Sequence, residues 1–187
     1  MQPIRTALAA FVTALAGTAL AAAAVPLKTD LAHSTVSATF KQMNVPVESN
    51  FKRFNAQIDY DPAHPENASA KVDIDTASMD LGQADYNKEI AKKEWFNSAQ
   101  FPKASFVSSS IKPAGAGKLA VTGKLTIKGK TQDASFPLSV KAQGAQQIFE
   151  GQLPIHRLAF NIGEGEWKDT SMVADDVVIK FRVAAGQ

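Results

Sequence analysis

The strongest constraint on this chain is a strict alternation of apolar and polar residues between positions 119 and 140. In an extended chain, every second residue lies on the same face. The first run places Leu119, Val121, Leu125 and Ile127 on one face, and the second run does the same with Ala134, Phe136, Leu138 and Val140. The alternation breaks at Gly129-Lys130, which predicts a β-hairpin with one buried face. Two strands alone are not stable in water, so the rest of the chain must supply more of the sheet.

The first 24 residues are typical of an export signal. Arg5 precedes an apolar run from Ala7 to Leu20, and small residues end the segment at Ala24. This run is shorter and richer in alanine than a membrane-spanning helix of about 20 apolar residues. We therefore predict a cleavable signal peptide over residues 1–24, export to the periplasm, and one folded domain over residues 25–187.

Charge and composition exclude several classes of protein. The formal net charge is +2, and the lysines and arginines are scattered rather than clustered, so nothing predicts nucleic-acid binding. The chain has no cysteine, and its three histidines lie far apart at His33, His64 and His156. Neither a metal site nor a thiol nucleophile is predicted, and no cofactor is expected. A mature chain of roughly 160 residues can bury a core without disulfides.

Further alternating runs predict more strands over residues 31–40, 51–60, 68–74, 105–111, 148–162 and 177–183, with a break at Asn44 and Pro46. One segment has helical spacing instead, from Asp85 to Phe96, with Asp85 as its cap and Glu89 and Lys93 as a charge pair. The count predicts an all-β protein, an antiparallel barrel of about eight strands with one short helical segment. A β-sandwich is the competing architecture.

Arg157 is the most informative charge because it interrupts an apolar strand. Large apolar residues occupy odd-numbered positions just before this point, up to Ile155, and even-numbered positions from Leu158 onward. We expect a β-bulge near His156-Arg157 to cause this parity shift. A charge at this position must reach solvent, pair with a carboxylate or bind an anionic ligand. We expect an ion pair with Asp176, and the alternative is contact with a ligand head group.

Several motifs together resemble the YceI-like family, over about Leu27 to Val183. They are His33-Ser34, Phe54 with Asp61-Pro62, Trp95-Phe96, Phe101-Pro102, Phe106, Gly123-x-Leu125-Thr126-Ile127-x-Gly129-x-Thr131, Arg157 with Phe160 and Ile162, and Asp176-Val177. The resemblance implies a lipocalin-like barrel that holds a polyisoprenoid or another long amphiphile, and no enzymatic activity. An eight-stranded barrel has room for one slender ligand.

The expected ligand is a long-chain isoprenoid, such as an isoprenoid quinone, or a related amphipathic lipid. The residues expected to line the lumen are Val36, Ala38, Phe40, Phe54, Ala56, Ile58, Leu125, Ile127, Phe136, Leu138, Phe160 and Phe181. A weak homodimer and a membrane-associated donor or acceptor of the lipid are further partners to consider. Two alternatives stay open: a lipid-acting enzyme with His33 or His156 as general base, and an interaction module with a filled barrel.

Overall fold

Strands dominate residues 24–187, the part of the chain that this computed structural model describes. They are β1 (Pro26–Gln42), β2 (Val45–Phe51), β3 (Phe54–Asp59), β4 (Ser69–Asp75), β5 (Met79–Asp80), β6 (Lys103–Pro113), β7 (Lys118–Ile127), β8 (Lys130–Gln143), β9 (Gln146–His156) and β10 (Val173–Gly186). The helix α1 (Ala84–Ile90) lies between β5 and β6. Short 3₁₀ segments cover Pro65–Asn67, Thr76–Ser78, Arg157–Phe160 and Gly165–Lys168. Most of the predicted signal peptide, residues 1–23, lies outside the described residues.

The sheet closes on itself because β10 pairs with β1 along most of their length, from Lys28 opposite Gly186 to Gln42 opposite Val173. Both β2 and β3 pair with β1, so together they form one interrupted strand of the barrel. In the same way, β4 pairs with β3 and β5 pairs with β2, so β4 and β5 together form the next strand of the barrel. The ten segments therefore form a closed antiparallel barrel of eight strands with one helix, which confirms the predicted fold class and excludes the sandwich.

The hairpin predicted from the alternation is formed by β7 and β8. Their burial alternates residue by residue, with Leu119, Val121, Leu125 and Ile127 buried on one strand. The turn itself lies one residue earlier than predicted, at Lys128-Gly129, where both residues have positive φ values of 48° and 73°. Two-residue hairpin turns of this kind require a positive φ at both central positions.

The predicted break at Asn44 and Pro46 is only partly right. Met43 and Asn44 form a tight turn, but the chain then continues directly into β2. Pro46 pairs with Lys41 of β1, but the other edge of β2 has no partner strand before Asn50, and prolines are tolerated in edge strands. The predicted second strand therefore consists of β3 alone, and β2 was missed.

The helix is shorter than predicted, because it ends at Ile90 and is followed by turns that contain Trp95 and Phe96. Its N-cap is Gln83 rather than Asp85, and no side chain caps it. Glu89 pairs with Lys92, three residues away, and not with Lys93. Seven residues give too little helix to form alone, so packing against the barrel must hold it.

The strand predicted over residues 148–162 ends at His156. A 3₁₀ segment, Arg157–Phe160, follows it, and Asn161 takes a left-handed conformation with φ of 57°. The expected β-bulge at His156-Arg157 is therefore wrong. The parity shift in the sequence marks the change from strand to 3₁₀ helix.

The two ends of the barrel differ. The upper end carries the turns at Met43-Asn44 and Lys128-Gly129, together with α1 and the 3₁₀ segments after β9. The lower end carries the start of β1, the loop between β6 and β7, and the turn between β8 and β9. Trp95, Phe160 and Ile162 are buried beneath the segments at the upper end.

Candidate functional site: an apolar cavity through the barrel

A cavity of about 450 Å³ occupies the barrel, and apolar side chains form most of its lining. The lining includes residues from both ends, with Tyr60 and Phe149 at the lower end and Trp95 and Val173 at the upper end. Pockets for small molecules usually have volumes of about 300–1,000 Å³ and a mostly apolar lining. The barrel interior is therefore not filled by its own side chains, and a slender apolar molecule fits its chemistry.

Most of the predicted lumen residues do line this cavity: Val36, Ala38, Phe40, Ile58, Leu125, Ile127, Phe136, Leu138 and Phe181. Three do not. Ala56 and Phe160 are buried in the core, and Phe54 contributes to a separate surface cleft with Leu31 and Asn50. Phe54 is the first residue of β3, directly after the interruption at Lys52-Arg53, and it lies beside the surface cleft instead of the lumen. A role in ligand binding for the other nine stays a prediction.

Sequence reasoning missed much of the upper lining, including Tyr86, Ile90, Trp95, and Trp167. These residues come from α1 and from turns, where no two-residue alternation marks an inward face. It also omitted Val72, Ile74 and Phe106 from its list, although these lie on predicted strands at alternating positions. That alternation was the signal that could have identified them.

Three phenylalanines cross the middle of the cavity. The ring of Phe136 lies 5.4 Å from that of Phe106 and 5.4 Å from that of Phe181, measured between centroids. Two glycines make this arrangement possible: a Cβ on Gly123 would lie 2.6 Å from the Phe106 ring, and one on Gly151 would lie 2.5 Å from the Phe181 ring. The rings therefore pack against bare backbone, and space remains beside them.

The cavity reaches the surface at the upper end. Gln42, at the end of β1, and Tyr86, on α1, both line the cavity and are exposed. Tyr86 has 56% of its surface exposed. These positions indicate an opening between the β1–β2 turn and α1. At the lower end, Ser69 also lines the cavity and is exposed.

Arg157 also lines the cavity at the upper end, with only 2% of its surface exposed. Its Nε donates to Ala174 O at 3.0 Å, and Nη1 donates to Ile162 O at 2.8 Å and to Gly163 O at 3.3 Å. Nη2 donates to Trp167 O at 2.8 Å and to Val173 O at 2.6 Å. A guanidinium has five N–H donors, so backbone carbonyls use all of them.

The predicted ion pair between Arg157 and Asp176 is wrong. The Asp176 carboxylate is 86% exposed and lies 3.1 Å from His156 Nδ1, while the neighbouring Asp175 accepts a hydrogen bond from the Leu158 backbone N–H at 2.9 Å. Burial lowers the pKa of the Arg157 guanidinium from its ordinary value, and the charge of Asp175 opposes that change. The five carbonyl dipoles replace water around the cation, and this meets the cost of burying it.

Gly163 is required beside this arginine. A Cβ at this position would lie 2.0 Å from Arg157 Nη1, and the backbone φ is +82°. The guanidinium also lies 5.8 Å from the centre of the Trp95 ring, within reach of a cation–π contact. Arg157 therefore ties β9, residues 162–167 and the start of β10 into one cap over the upper end.

A second buried cation supports the same cap. Lys128 has 6% of its side chain exposed, and its Nζ donates to Lys93 O and Asn161 O at 2.7 Å each. It also pairs with Glu164 Oε2 at 2.8 Å, which lowers the pKa of the Glu164 carboxyl. The lysine that begins the hairpin turn thus links β7 to the loops that cover the barrel.

One residue of the lining, Trp95, has a buried polar atom without a hydrogen-bond partner in residues 24–187. Trp95 Nε1 is shielded from solvent and unpaired, although its ring lies 5.2 Å from that of Trp167. At the lower end, Tyr60 packs edge-on against Phe149, with 5.3 Å between the ring centroids. Burial raises the pKa of Tyr60 above its ordinary value.

The histidines lie away from the cavity. His33 and His156 are absent from its lining, and their side chains are 72% and 69% exposed. Each lies near a carboxylate, with His33 Nδ1 2.8 Å from Asp30 Oδ2. A base in this position faces water rather than the lumen, so the geometry does not support catalysis on a lipid held inside.

Two other features are absent from the part of the chain that the structure describes. Among residues 24–187, no group of three or more His, Asp or Glu side chains could hold a metal ion. Within the same residues, no helix has the length and apolarity needed to cross a membrane.

Comparison with known proteins agrees with this architecture. The YceI-like domain matches residues 27–185. The chain belongs to this family. It is 34% identical over 146 residues to the UPF0312 protein Sputcn32_2702 of Shewanella putrefaciens, a match that covers 76% of this chain and 72% of the relative. The resemblance predicted from the motifs is therefore confirmed.

Two solved structures illustrate the range of similarity. BcnA of Burkholderia cenocepacia has 55% sequence identity and a TM-score of 0.82, over 84% of this chain and 99% of that chain. A polyisoprenoid binding domain from Saccharophagus degradans has 14% identity and a TM-score of 0.70, over 87% and 98%. The second likeness shows a shared fold alone.

Proposed function

We propose that this YceI-like protein is an exported carrier that holds a long-chain amphipathic lipid, of the isoprenoid class, inside its barrel. The observation that carries the proposal is the apolar cavity of about 450 Å³ that the closed barrel leaves open. A fully packed barrel would have supported an interaction module instead. The name of the Saccharophagus degradans domain, a polyisoprenoid binding domain, adds support for the ligand class.

The energetics favour a ligand with a long apolar chain. Each buried methylene-sized group contributes about 0.8 kcal/mol before the cost of ordering the ligand. Branched isoprene units suit a cavity whose lining mixes large rings, such as Phe136 and Phe181, with small residues such as Ala38 and Ala104. The polar end of such a lipid would lie near the opening between Gln42 and Tyr86.

The direct test is to identify what the protein carries. The protein would be purified from its host and analysed by native mass spectrometry and by lipid extraction. A bound isoprenoid amphiphile is expected, and after its removal the protein should take up a long-chain isoprenoid. The proposal fails if no amphiphile is recovered and none is taken up.

A matched pair of variants tests whether the lipid lies in the cavity. Ala38 lines the cavity and Ala120 lies exposed on the outer face of β7. Ala38→Phe should fill part of the lumen and weaken lipid binding about tenfold or more, because apolar contacts are replaced by a protein ring. Ala120→Phe adds the same ring outside and should leave binding unchanged. Equal affinities for the two variants would place the ligand elsewhere.

Export is the second half of the proposal. It rests on the sequence of residues 1–24, with Arg5, an apolar run and a final stretch of alanines. Mass measurement of the protein from the periplasmic fraction should give a mature chain that begins near Val25. Recovery of the uncleaved chain from the cytoplasm would contradict it.

A further inference from the structure

Exposed apolar side chains are concentrated at the upper end of the barrel. Among residues 24–187, the large apolar residues with exposed surfaces are Val25, Leu31, Met43, Val45, Tyr86, Val107 and Met172. Four of these seven lie at the upper end: Met43, Val45, Tyr86 and Met172. Met43 and Val45 are the most exposed of all, at 66% and 61%. Single exposed apolar residues are normal on a protein surface, whereas a cluster of them marks an interaction site.

Three of these side chains form one surface, which we call the rim patch: Met43, Val45 and Met172. Met43 lies in the turn between β1 and β2, and its backbone N–H donates to Met172 O at 2.8 Å. Val45 begins β2 and pairs with Gln42, the exposed residue of β1 that lines the cavity. The rim patch therefore lies beside the cavity opening. Tyr86, on α1, lies on the other side of the opening.

The rim patch is uncharged. Neither residues 42–47 nor residues 170–174 contain a lysine, arginine, histidine or carboxylate. The charges that flank these two segments are one lysine and three carboxylates: Lys41, Glu48, Asp169 and Asp175. This surface therefore offers no basic cluster to attract an anionic partner, and its chemistry favours an apolar one.

The size of the rim patch favours a bilayer over a protein partner. A stable protein interface takes about 20–30 residues on each side, whereas a few apolar side chains can enter a bilayer without matching a partner's shape. The gain then scales with the apolar area that leaves water. Methionine side chains are unbranched and flexible, which suits contact with a fluid apolar phase. Tyr86 adds an amphipathic ring of the kind that lies at the level of the lipid head groups.

We propose that the protein docks on a lipid bilayer through the rim patch and exchanges its lipid with that bilayer through the adjacent opening. This inference rests on the proposed lipid-carrier function and adds the surface at which the lipid enters and leaves. A long-chain amphiphile that crosses water exposes its whole apolar chain, whereas docking places the cavity opening at the bilayer surface. The outer wall of the barrel, which includes Val107, stays in water.

A matched pair of substitutions tests the docking surface. Val45→Glu places a carboxylate in the rim patch, and Val107→Glu places one on the outer wall, at another exposed strand valine. Neither valine lines the cavity. The wild type and Val107→Glu should co-sediment equally with phosphatidylcholine vesicles. Val45→Glu should bind them about tenfold more weakly or worse, because a charge replaces buried apolar surface. Equal vesicle binding by the two variants would overturn the inference.

A second variant guards against an effect of Val45→Glu on folding. Met43 has a φ of 48°, a left-handed conformation that asparagine adopts more readily than methionine. Met43→Asn should therefore keep the turn and the melting temperature while it weakens vesicle binding about threefold or more. Unchanged vesicle binding in a folded Met43→Asn protein would contradict insertion of the turn.

Salt and oligomeric state distinguish the other possible partners. Because the rim patch is uncharged, wild-type binding to phosphatidylcholine vesicles should persist at about 1 M salt, where the screening length is roughly 3 Å. Binding that requires phosphatidylglycerol and is lost at this salt concentration would be electrostatic and would refute the role of the rim patch. A wild-type dimer that Val45→Glu dissociates in sedimentation velocity, without any vesicle binding, would assign the patch to a second copy of the chain.

The kinetics of lipid exchange separate this inference from the proposed function. The probe is farnesyl anthranilate, a fluorescent isoprenoid, offered to the protein after its own lipid is removed. Transfer from vesicles to Val45→Glu should be about tenfold slower than transfer to Val107→Glu. The two variants should have equal affinities for the probe dispersed in detergent, because docking changes the route and not the bound state. Equal transfer rates would refute docking at the rim patch although lipid binding stands. If the probe binds neither from detergent nor from vesicles, the proposed function fails, and the exchange route fails with it.

Discussion

Replacement of Arg157 tests whether this buried cation holds the cap on the upper end of the barrel. Arg157→Met keeps a side chain of similar length and removes all five N–H donors. The five carbonyls of Ala174, Ile162, Gly163, Trp167 and Val173 would lose their partner. Each carbonyl that stays buried and unpaired costs about 1–3 kcal/mol.

The expected loss follows from how many carbonyls water can reach. Three of the five hydrogen bonds are buried, and if only two of those carbonyls stay dry, the free energy of unfolding falls by about 2–6 kcal/mol. In a chain of this size, each kcal/mol lowers the melting temperature by roughly 2–4 °C. Arg157→Met should therefore melt roughly 5–20 °C below the wild type, as measured by circular dichroism and by urea unfolding.

Two further variants sharpen the result. Arg157→Lys keeps the charge but offers three donors instead of five, so it should recover only part of the lost stability. Arg53→Met removes an arginine whose side chain is 63% exposed and pairs with Asp75 at 2.8 Å, and it should cost less than about 1 kcal/mol. An Arg157→Met protein as stable as the Arg53 control, or full recovery in Arg157→Lys, would refute this account. Unchanged melting with weaker binding of farnesyl phosphate would instead support a head-group role.

Three other predictions concern backbone geometry and pH. Gly163→Ala should destabilise the protein more than Gly144→Ala in chemical unfolding. Both glycines have positive φ, but a Cβ at Gly163 would lie 2.0 Å from Arg157, whereas a Cβ at Gly144 would meet open space. Equal losses of stability in the two variants would contradict the close packing. Hydrogen bonds from Lys52, then from Asn87 and Gly82, hold the pKa of the Asp80 carboxyl well below its usual value, so Asp80 stabilises the fold above about pH 4 and this contribution is lost as the pH falls further. Asp80→Asn should flatten the dependence of melting temperature on pH below about pH 4, and an unchanged profile would refute this. Because burial raises the pKa of Tyr60, the stability of the wild type should fall as the pH rises above about 10. Tyr60→Phe should remove that part of the loss. Identical alkaline stability profiles of the wild type and Tyr60→Phe would contradict this role of Tyr60.

The sequence predicted the barrel because two-residue alternation is a local signal. The faces of β7 and β8 follow from spacing alone, and the lumen positions on β1 and at Ile58 follow from the same rule. The rule failed where the chain leaves a regular strand. Phe54 is the first residue of β3, at the boundary with the interruption at Lys52-Arg53, and Phe160 lies in a 3₁₀ segment rather than in a strand.

The cap was the part that spacing could not predict. Its residues, among them Trp95 and Trp167, come from turns that have no period. The sequence did identify Arg157 as a charge that needed a partner, but it suggested a carboxylate because side-chain pairs are the usual solution. Backbone carbonyls carry no signature in a sequence, so a cage built from them is visible only in the folded chain.

The sequence by itself determined that this chain forms antiparallel strands with one apolar face each, since alternation and turn residues act within a few positions of one another. The tertiary structure decided how the apolar faces meet, because barrel closure pairs β1 with β10 across almost the whole length of the chain. Closure also determines whether the interior is full or empty, which depends on where Gly123 and Gly151 leave room for the rings of Phe106 and Phe181. The open cavity, on which the proposed function depends, is therefore a property of packing between distant residues.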